Sequence, residues 1–199
     1  TILTPTLLVM GFEPAVGVPA VLLSQAFGGL AASVFHHRME NVSFKRDSKD
    51  LKMVIVVSGF GLLAVIFAAV VSINIPSLAL KSYIGLLVLV MGVFVVLNRP
   101  FRFSWRKMVG VGIISAFNKG LSGGGFGPVV TGGQILAGQD HKAAIGVTTL
   151  AEAPICIAGF LAYVIARAAA ELPAPVMQQP FAEFVKQMFA PRMFNWELI

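Results

Sequence analysis

Charge is scarce in this sequence: 12% of its 199 residues are Asp, Glu, Lys or Arg, while 57% are apolar. Soluble domains carry about 25% charged and about 45–50% apolar residues, so this chain cannot cover itself with a water-facing surface, and a soluble domain is excluded. Acidic residues are scarcer than basic ones, which leaves a formal charge of +6. Nucleic-acid binding does not follow, because the Lys and Arg residues lie between long apolar runs and form no stripe with interleaved aromatics. A single cysteine, Cys156, excludes an intrachain disulfide and leaves the redox compartment unreadable. Histidine is nearly absent; His36 and His37 stand at the edge of an apolar run beside a basic loop and read as interfacial residues, so neither a metal nor a cofactor is expected. No nucleophile stands beside a base, which argues against an enzyme. A signal peptide is missing as well. No Met precedes Thr1, and the apolar run 2–10 falls short of the roughly 20 residues a bilayer requires, so truncation at the N-terminus is the expectation.

What the sequence does have is long apolar segments. Residues 17–35, 53–73, 78–97 and 143–166 each approach the length of a roughly 30 Å hydrocarbon core, with Lys81 and Glu152 as their charged interruptions. They predict four transmembrane helices. Residues 108–137 form a longer run broken by Asn118, Lys119 and Ser122-Gly123-Gly124-Gly125-Phe126-Gly127-Pro128. Such a run predicts two half-helices around a glycine break, since unwound backbone at membrane depth is tolerated where protein or a cavity satisfies it. From Arg167 onward, Pro173, Pro175, Pro180 and Pro191 predict a loop carrying a short interfacial helix near 181–189. Phe101, Phe103 and Trp105 among basic residues read as an interfacial belt. The fold class expected is all-α, a polytopic membrane helix bundle whose principal surroundings are a lipid bilayer.

Orientation follows from the basic residues, which short loops retain on the cytoplasmic side. Arg38, Lys45, Arg46, Lys49 and Lys52 follow the first span, and Arg99, Arg102, Arg106 and Lys107 follow the third. Both loops are expected inside, which puts Asn74-Ile75-Pro76-Ser77 outside. If 108–137 crosses once, Gln139-Asp140-His141-Lys142 lies outside and Arg167 returns inside.

An internal repeat is also legible. Ala15-Val16-Gly17-Val18 aligns with Ala144-Ile145-Gly146-Val147 at a shift of 129 positions, each opening a helix expected to lead towards the cytoplasm. Val42-Ser43-Phe44 then answers Phe194-Asn195-Trp196 if the second copy carries an insertion. The expected domains are a first transmembrane repeat over 1–97, a cytoplasmic linker over 98–107, and a second repeat over 108–199 with an inserted loop at 167–193. Both repeats are expected to be truncated. Duplication of this kind suggests a transporter with its site between the repeats near the midplane.

The candidate chemistry collects at that depth. Lys119 and Glu152 each fall roughly 14–16 Å from a membrane face, so they are expected to pair. A charge at that depth costs about 2.5–3.5 kcal/mol on insertion scales, and an intramembrane ionisable residue is a functional hypothesis; the plain alternative is a structural ion pair. Pro128 suits the first turn of a half-helix whose free N–H groups and positive dipole end face the break, an arrangement that holds anions. Gly123, Gly124 and Gly125 form the break, with Gly124 and Gly125 expected at φ above zero and Ser122 and Thr131 expected to add hydroxyl donors. Close helix packing is the alternative use of such glycines. Thr148, Thr149, Glu152, Cys156 and Gly159 share one helix stripe, expected to face protein. Cys156 reads as a packing residue, with contact to a sulfur substrate as the sharper alternative. Ser24 and Gln25 occupy the register of Ala153 and Pro154 as a milder polar feature.

The glycine break, the Ala-Val-Gly-Val and Ala-Ile-Gly-Val-Thr-Thr helix starts and the duplicated aromatic-ended loops together resemble the sulfite exporter TauE/SafE family of membrane permeases. That resemblance implies about eight helices in two repeats in a bacterial or archaeal inner membrane. It also implies movement of small, often sulfur-containing anions such as sulfite or organosulfonates by alternating access. The substrate-binding residues then expected are Lys119, Ser122, Gly123, Gly124, Gly125, Thr131, Thr148, Thr149 and Glu152. A membrane-embedded enzyme and a structural membrane subunit are the alternatives, and homo-oligomerisation is left open.

Overall fold

The computed structural model describes residues 3–97, 105–136 and 139–171. Among these residues the regular structure is helical: α1 (Leu3–Val9), α2 (Pro14–Arg38), α3 (Lys49–Asn74), α4 (Ser77–Leu97), α5 (Trp105–Ser122), α6 (Phe126–Leu136) and α7 (His141–Glu171). Each of the four predicted spans falls inside one helix, α2, α3, α4 or α7. By length and composition α2, α3 and α7 can cross a membrane, which makes the chain a membrane protein. Large apolar side chains such as Phe27, Phe35, Leu63, Phe67, Ile157 and Ile165 point outward, as hydrocarbon surroundings require. Two boundaries move. The basic residues Arg106 and Lys107 belong to the first turn of α5 instead of a linker, and α7 continues through Arg167 to Glu171, since Ala168-Ala169-Ala170 are strong helix formers. Residues 98–104, including Phe101 and Phe103, the segment 181–189 and Phe194-Asn195-Trp196 lie outside the described residues.

Local chemistry sets the helix ends. Ser48 caps α3 by accepting the Leu51 N–H at 3.1 Å, and the Asp140 carboxylate accepts the N–H groups of Lys142 and Ala143 at 2.9 and 3.2 Å. Inside α2, Pro19 has no N–H for the carbonyl of Ala15, four residues back. The Arg167 Nη1 donates to that carbonyl at 3.4 Å, so the far end of α7 satisfies what the proline leaves open.

Helix directions can be read from close approaches. Gly112 lies against Val57 and Gly120 against Val65 and Ala68, so α3 and α5 run parallel. Gly61 lies against Ile155 and Gly159 against Val65, so α7 runs parallel to α3 as well. By contrast, Leu22 meets Gly159, Gly29 meets Thr149 and His36 meets Gly146, so α2 and α7 are antiparallel. Gln139 donates to the Asp50 carboxylate at 3.2 Å, which puts the α6–α7 connection at the end where α3 and α5 begin. The expectation that 108–137 crosses once, placing Gln139 outside and Arg167 inside, is therefore corrected. The glycine break folds α6 back along the bundle, and α5–α6 enters and leaves at one face. The two helices matched by the 129-residue register run in opposite directions instead of both leading inward.

A labelling experiment checks this arrangement. With Cys156 replaced by Ala, single cysteines at Ser48 and Gln139 are expected to react with an impermeant thiol reagent from the same side of the membrane, and one at Ser77 from the other. Labelling of Gln139 from the Ser77 side would restore a single crossing.

Candidate functional site

The break between α5 and α6 needs partners for a buried helix end. The last carbonyls of a helix have no intrahelical donor, and bilayer depth supplies no water. Here the Gly123 N–H donates to the Lys119 carbonyl at 2.8 Å, and the Ser122 hydroxyl donates to the Asn118 carbonyl at 2.7 Å. The Tyr163 hydroxyl lies 2.9 Å from the Gly120 carbonyl and 2.5 Å from Ser72 Oγ. With one proton, Tyr163 donates to Gly120 and accepts from Ser72. The chain then turns through Gly123 and Gly125, at φ of +67° and +82°, while the Gly124 N–H donates to Ser122 Oγ at 3.2 Å. Positive φ thus belongs to Gly123 and Gly125; Gly124, expected to share it, does not. Pro128 occupies the first turn of α6, where its missing N–H leaves nothing unsatisfied.

Lys119 and Glu152 meet as expected. Lys119 Nζ lies 2.5 Å from Glu152 Oε1, with the lysine side chain 1% exposed and the glutamate 18%. A second acceptor, Gln25 Oε1 on α2, also takes a hydrogen bond from Lys119 Nζ. The cation is therefore held between α2 and α7, the two helices that the repeat register matches. Gln25 was legible in sequence as a polar residue at comparable depth, but nothing in the spacing tied it to Lys119, because that contact needs the antiparallel crossing of α2 and α7.

The remaining predicted residues separate into two groups. Ser122 stands at the break, but its proton is committed to carbonyls and its oxygen to Gly124, so it holds the turn instead of offering a free donor. Thr131 and Thr148 lie elsewhere, on the α6–α7 seam. The Thr131 hydroxyl donates to Thr148 Oγ1 at 2.9 Å, the Gln134 amide donates to the same oxygen at 2.9 Å, and Thr148 donates to the Ala144 carbonyl at 2.8 Å. That network pins α6 to α7 and leaves Thr148 no spare donor. Thr149 donates to the Gly146 carbonyl at 3.0 Å, and its own backbone abuts Gly29. Cys156, on α7, is fully buried against α2, and its side chain also meets Lys119. His37 stacks on Phe44 at 5.4 Å and meets the Val42 carbonyl at the membrane edge.

Outside the spans, the Glu13 carboxylate gathers the start of α4. Ser77 Oγ donates to it at 2.5 Å and Lys81 Nζ lies 3.4 Å away; these contacts, Ser77 first, hold its pKa below the ordinary carboxylate value.

A family model described as Sulfite exporter TauE/SafE matches residues 1–181. The probable membrane transporter protein YtnM of Bacillus subtilis (strain 168) is similar, 28% identical over 175 residues, a match covering 79% of this chain and 55% of that protein. The chain thus spans about half the length of the curated relative it matches. No solved structure matches.

Proposed function

The chain belongs to the sulfite exporter TauE/SafE family, and from that membership we propose that it carries the substrate site of a permease for small anions, sulfur oxyanions such as sulfite or organosulfonates foremost. The supporting observation is Lys119, a cation 1% exposed beside a glycine break, held by side chains of α2 and α7. A buried ion pair alone is weak evidence for stability, since apolar replacements often serve as well or better. A lysine whose acceptors come from two different helices and whose neighbour is a half-helix N-terminus has a use beyond stability: it can exchange a protein carboxylate for a substrate oxyanion.

In this reading an oxyanion takes the place of Glu152 at Lys119 Nζ, and the first-turn N–H groups of α6 receive its remaining oxygens. The α2 and α7 elements, related by the 129-residue register and oppositely directed, belong to two inverted repeats, and rocking one against the other alternates access to the site. The protein sits as a multi-pass component of the cell inner membrane. An enzyme reading has no matching geometry, because the family is one of transporters and the buried groups pair with one another instead of forming a nucleophile and base.

The test is flux. Full-length protein in vesicles is expected to move radiolabelled sulfite, with organosulfonates competing and monovalent cations not. Lys119→Gln should raise the half-saturating concentration about tenfold or more, by loss of a charge-assisted contact. Selective flux of a cation, or oxyanion flux indifferent to Lys119→Gln, would overturn the proposal.

A further inference from the structure

Thr4 stands against the glycine break. It lies in the first turn of α1, is 1% exposed, and its Oγ1 has no hydrogen-bond partner among the described residues. That oxygen faces the break, since a Cβ built on Gly123 would lie 2.7 Å from it. Burying a hydroxyl without a partner costs about 1–3 kcal/mol, and Val has the same shape without that penalty. A threonine kept dry and unpartnered against a turn is therefore placed for something that is not protein.

The hydroxyls expected at the break are committed to other partners. Ser122 holds Asn118, Gly124 and the turn, and Thr131 donates to Thr148. The first-turn N–H groups of α6, an eleven-residue helix, have no carbonyl within the helix to receive them, and Pro128 contributes none. So the break presents backbone donors from α6 and one free hydroxyl donor from α1. The carboxylate that meets Lys119 on the helix leading into the break is that of Glu152. Such donors, with the positive charge of Lys119 on the helix that leads into the break, fit a ligand whose atoms are all acceptors.

We infer that Thr4 is a ligand of the bound anion, its hydroxyl donating to one oxygen of a small oxyanion whose other oxygens face the N-terminal turn of α6 and Lys119. This rests on the anion reading above and adds to it that α1 contributes to the site. Gly123 then has two reasons to lack a side chain: its φ of +67°, and the closeness of Thr4 to the space a Cβ would fill.

The experiment is equilibrium binding of radiolabelled sulfite to the purified full-length protein, comparing Thr4→Val, Thr4→Ser and Thr4→Ala. Loss of one hydrogen bond to a charged acceptor should weaken binding about tenfold or more in Thr4→Val and Thr4→Ala, while Thr4→Ser, which keeps the donor, stays within about threefold of wild type. Without sulfite, Thr4→Val is expected to melt at or above the wild-type temperature, because an unpartnered buried hydroxyl has been removed. If Thr4→Val folds poorly, Thr4→Ser against Thr4→Ala, which differ by one oxygen, carries the same comparison. Equal binding by wild type and Thr4→Ala, or equal losses in Thr4→Ser and Thr4→Ala, would overturn the assignment and leave the anion site standing. Absence of sulfite binding by the wild type would instead remove the anion reading itself, and this inference with it.

Discussion

Replacing Lys119 by Met while Glu152 is kept is expected to destabilise the folded protein by about 3–5 kcal/mol, because it strands a carboxylate beside a dry helix break. The reverse change, Glu152→Gln, should be milder. Glu152 is 18% exposed and Gln preserves its shape, while Lys119 keeps Gln25 as an acceptor. The combined variant Lys119→Met with Glu152→Gln should lose less than Lys119→Met alone, since no unbalanced charge then remains at membrane depth. Unfolding free energies of the full-length protein in detergent, arranged as a double-mutant cycle, measure this directly. Coupling of more than about 1 kcal/mol is the expectation for groups 2.5 Å apart. Additivity within about 0.5 kcal/mol would mean the two groups do not meet as described.

The second large effect belongs to the break. Gly125→Val puts a β-branched residue at φ +82°, a region L side chains rarely enter, with a strain of about 1–3 kcal/mol that the buried turn cannot relieve by moving into water. Gly123→Ala adds a contact to its backbone strain, as its Cβ would lie 2.7 Å from Thr4 Oγ1 and 3.4 Å from Val21 Cγ1. Two comparisons separate backbone strain from loss of space. Gly125→Asn should be less harmful than Gly125→Val, because Asn tolerates left-handed backbone, and Gly124→Ala should be milder than Gly125→Ala, because Gly124 is not at positive φ. Thermal midpoints and sulfite flux should fall together along this series. Equal behaviour of Gly124→Ala and Gly125→Ala would show that the turn does not depend on the left-handed conformation.

The pairing of Lys119 with Glu152 was legible in the sequence even though the direction of α7 was not. A residue about ten positions into a roughly 30 Å core is near the middle whichever face it entered from, so the depth argument is insensitive to topology. The direction itself depended on whether 108–137 crosses or turns back, and composition is the same for both. The partners of the hydroxyls were not legible for a related reason. Thr131 and Ser122 have the donors an anion needs, but each finds a nearer acceptor inside the protein, and sequence spacing does not reveal which partner is nearer.

Sequence alone determined the membrane class, the four long apolar helices, the glycine break with Pro128 in the first turn after it, and the pairing of Lys119 with Glu152. These follow from hydropathy, from chain length per turn and from the conformations open to Gly and Pro, all local properties. Tertiary structure alone decided that α6 folds back, that α2 and α7 run antiparallel, and that Gln25 and Thr4 come to the break. Those are matters of which helix faces pack together, and in a chain so uniformly apolar the hydrophobic pattern barely distinguishes one face from another. What distinguishes them is shape: glycines that let α3, α5 and α7 approach closely, and the few polar atoms that must find one another where no water can substitute.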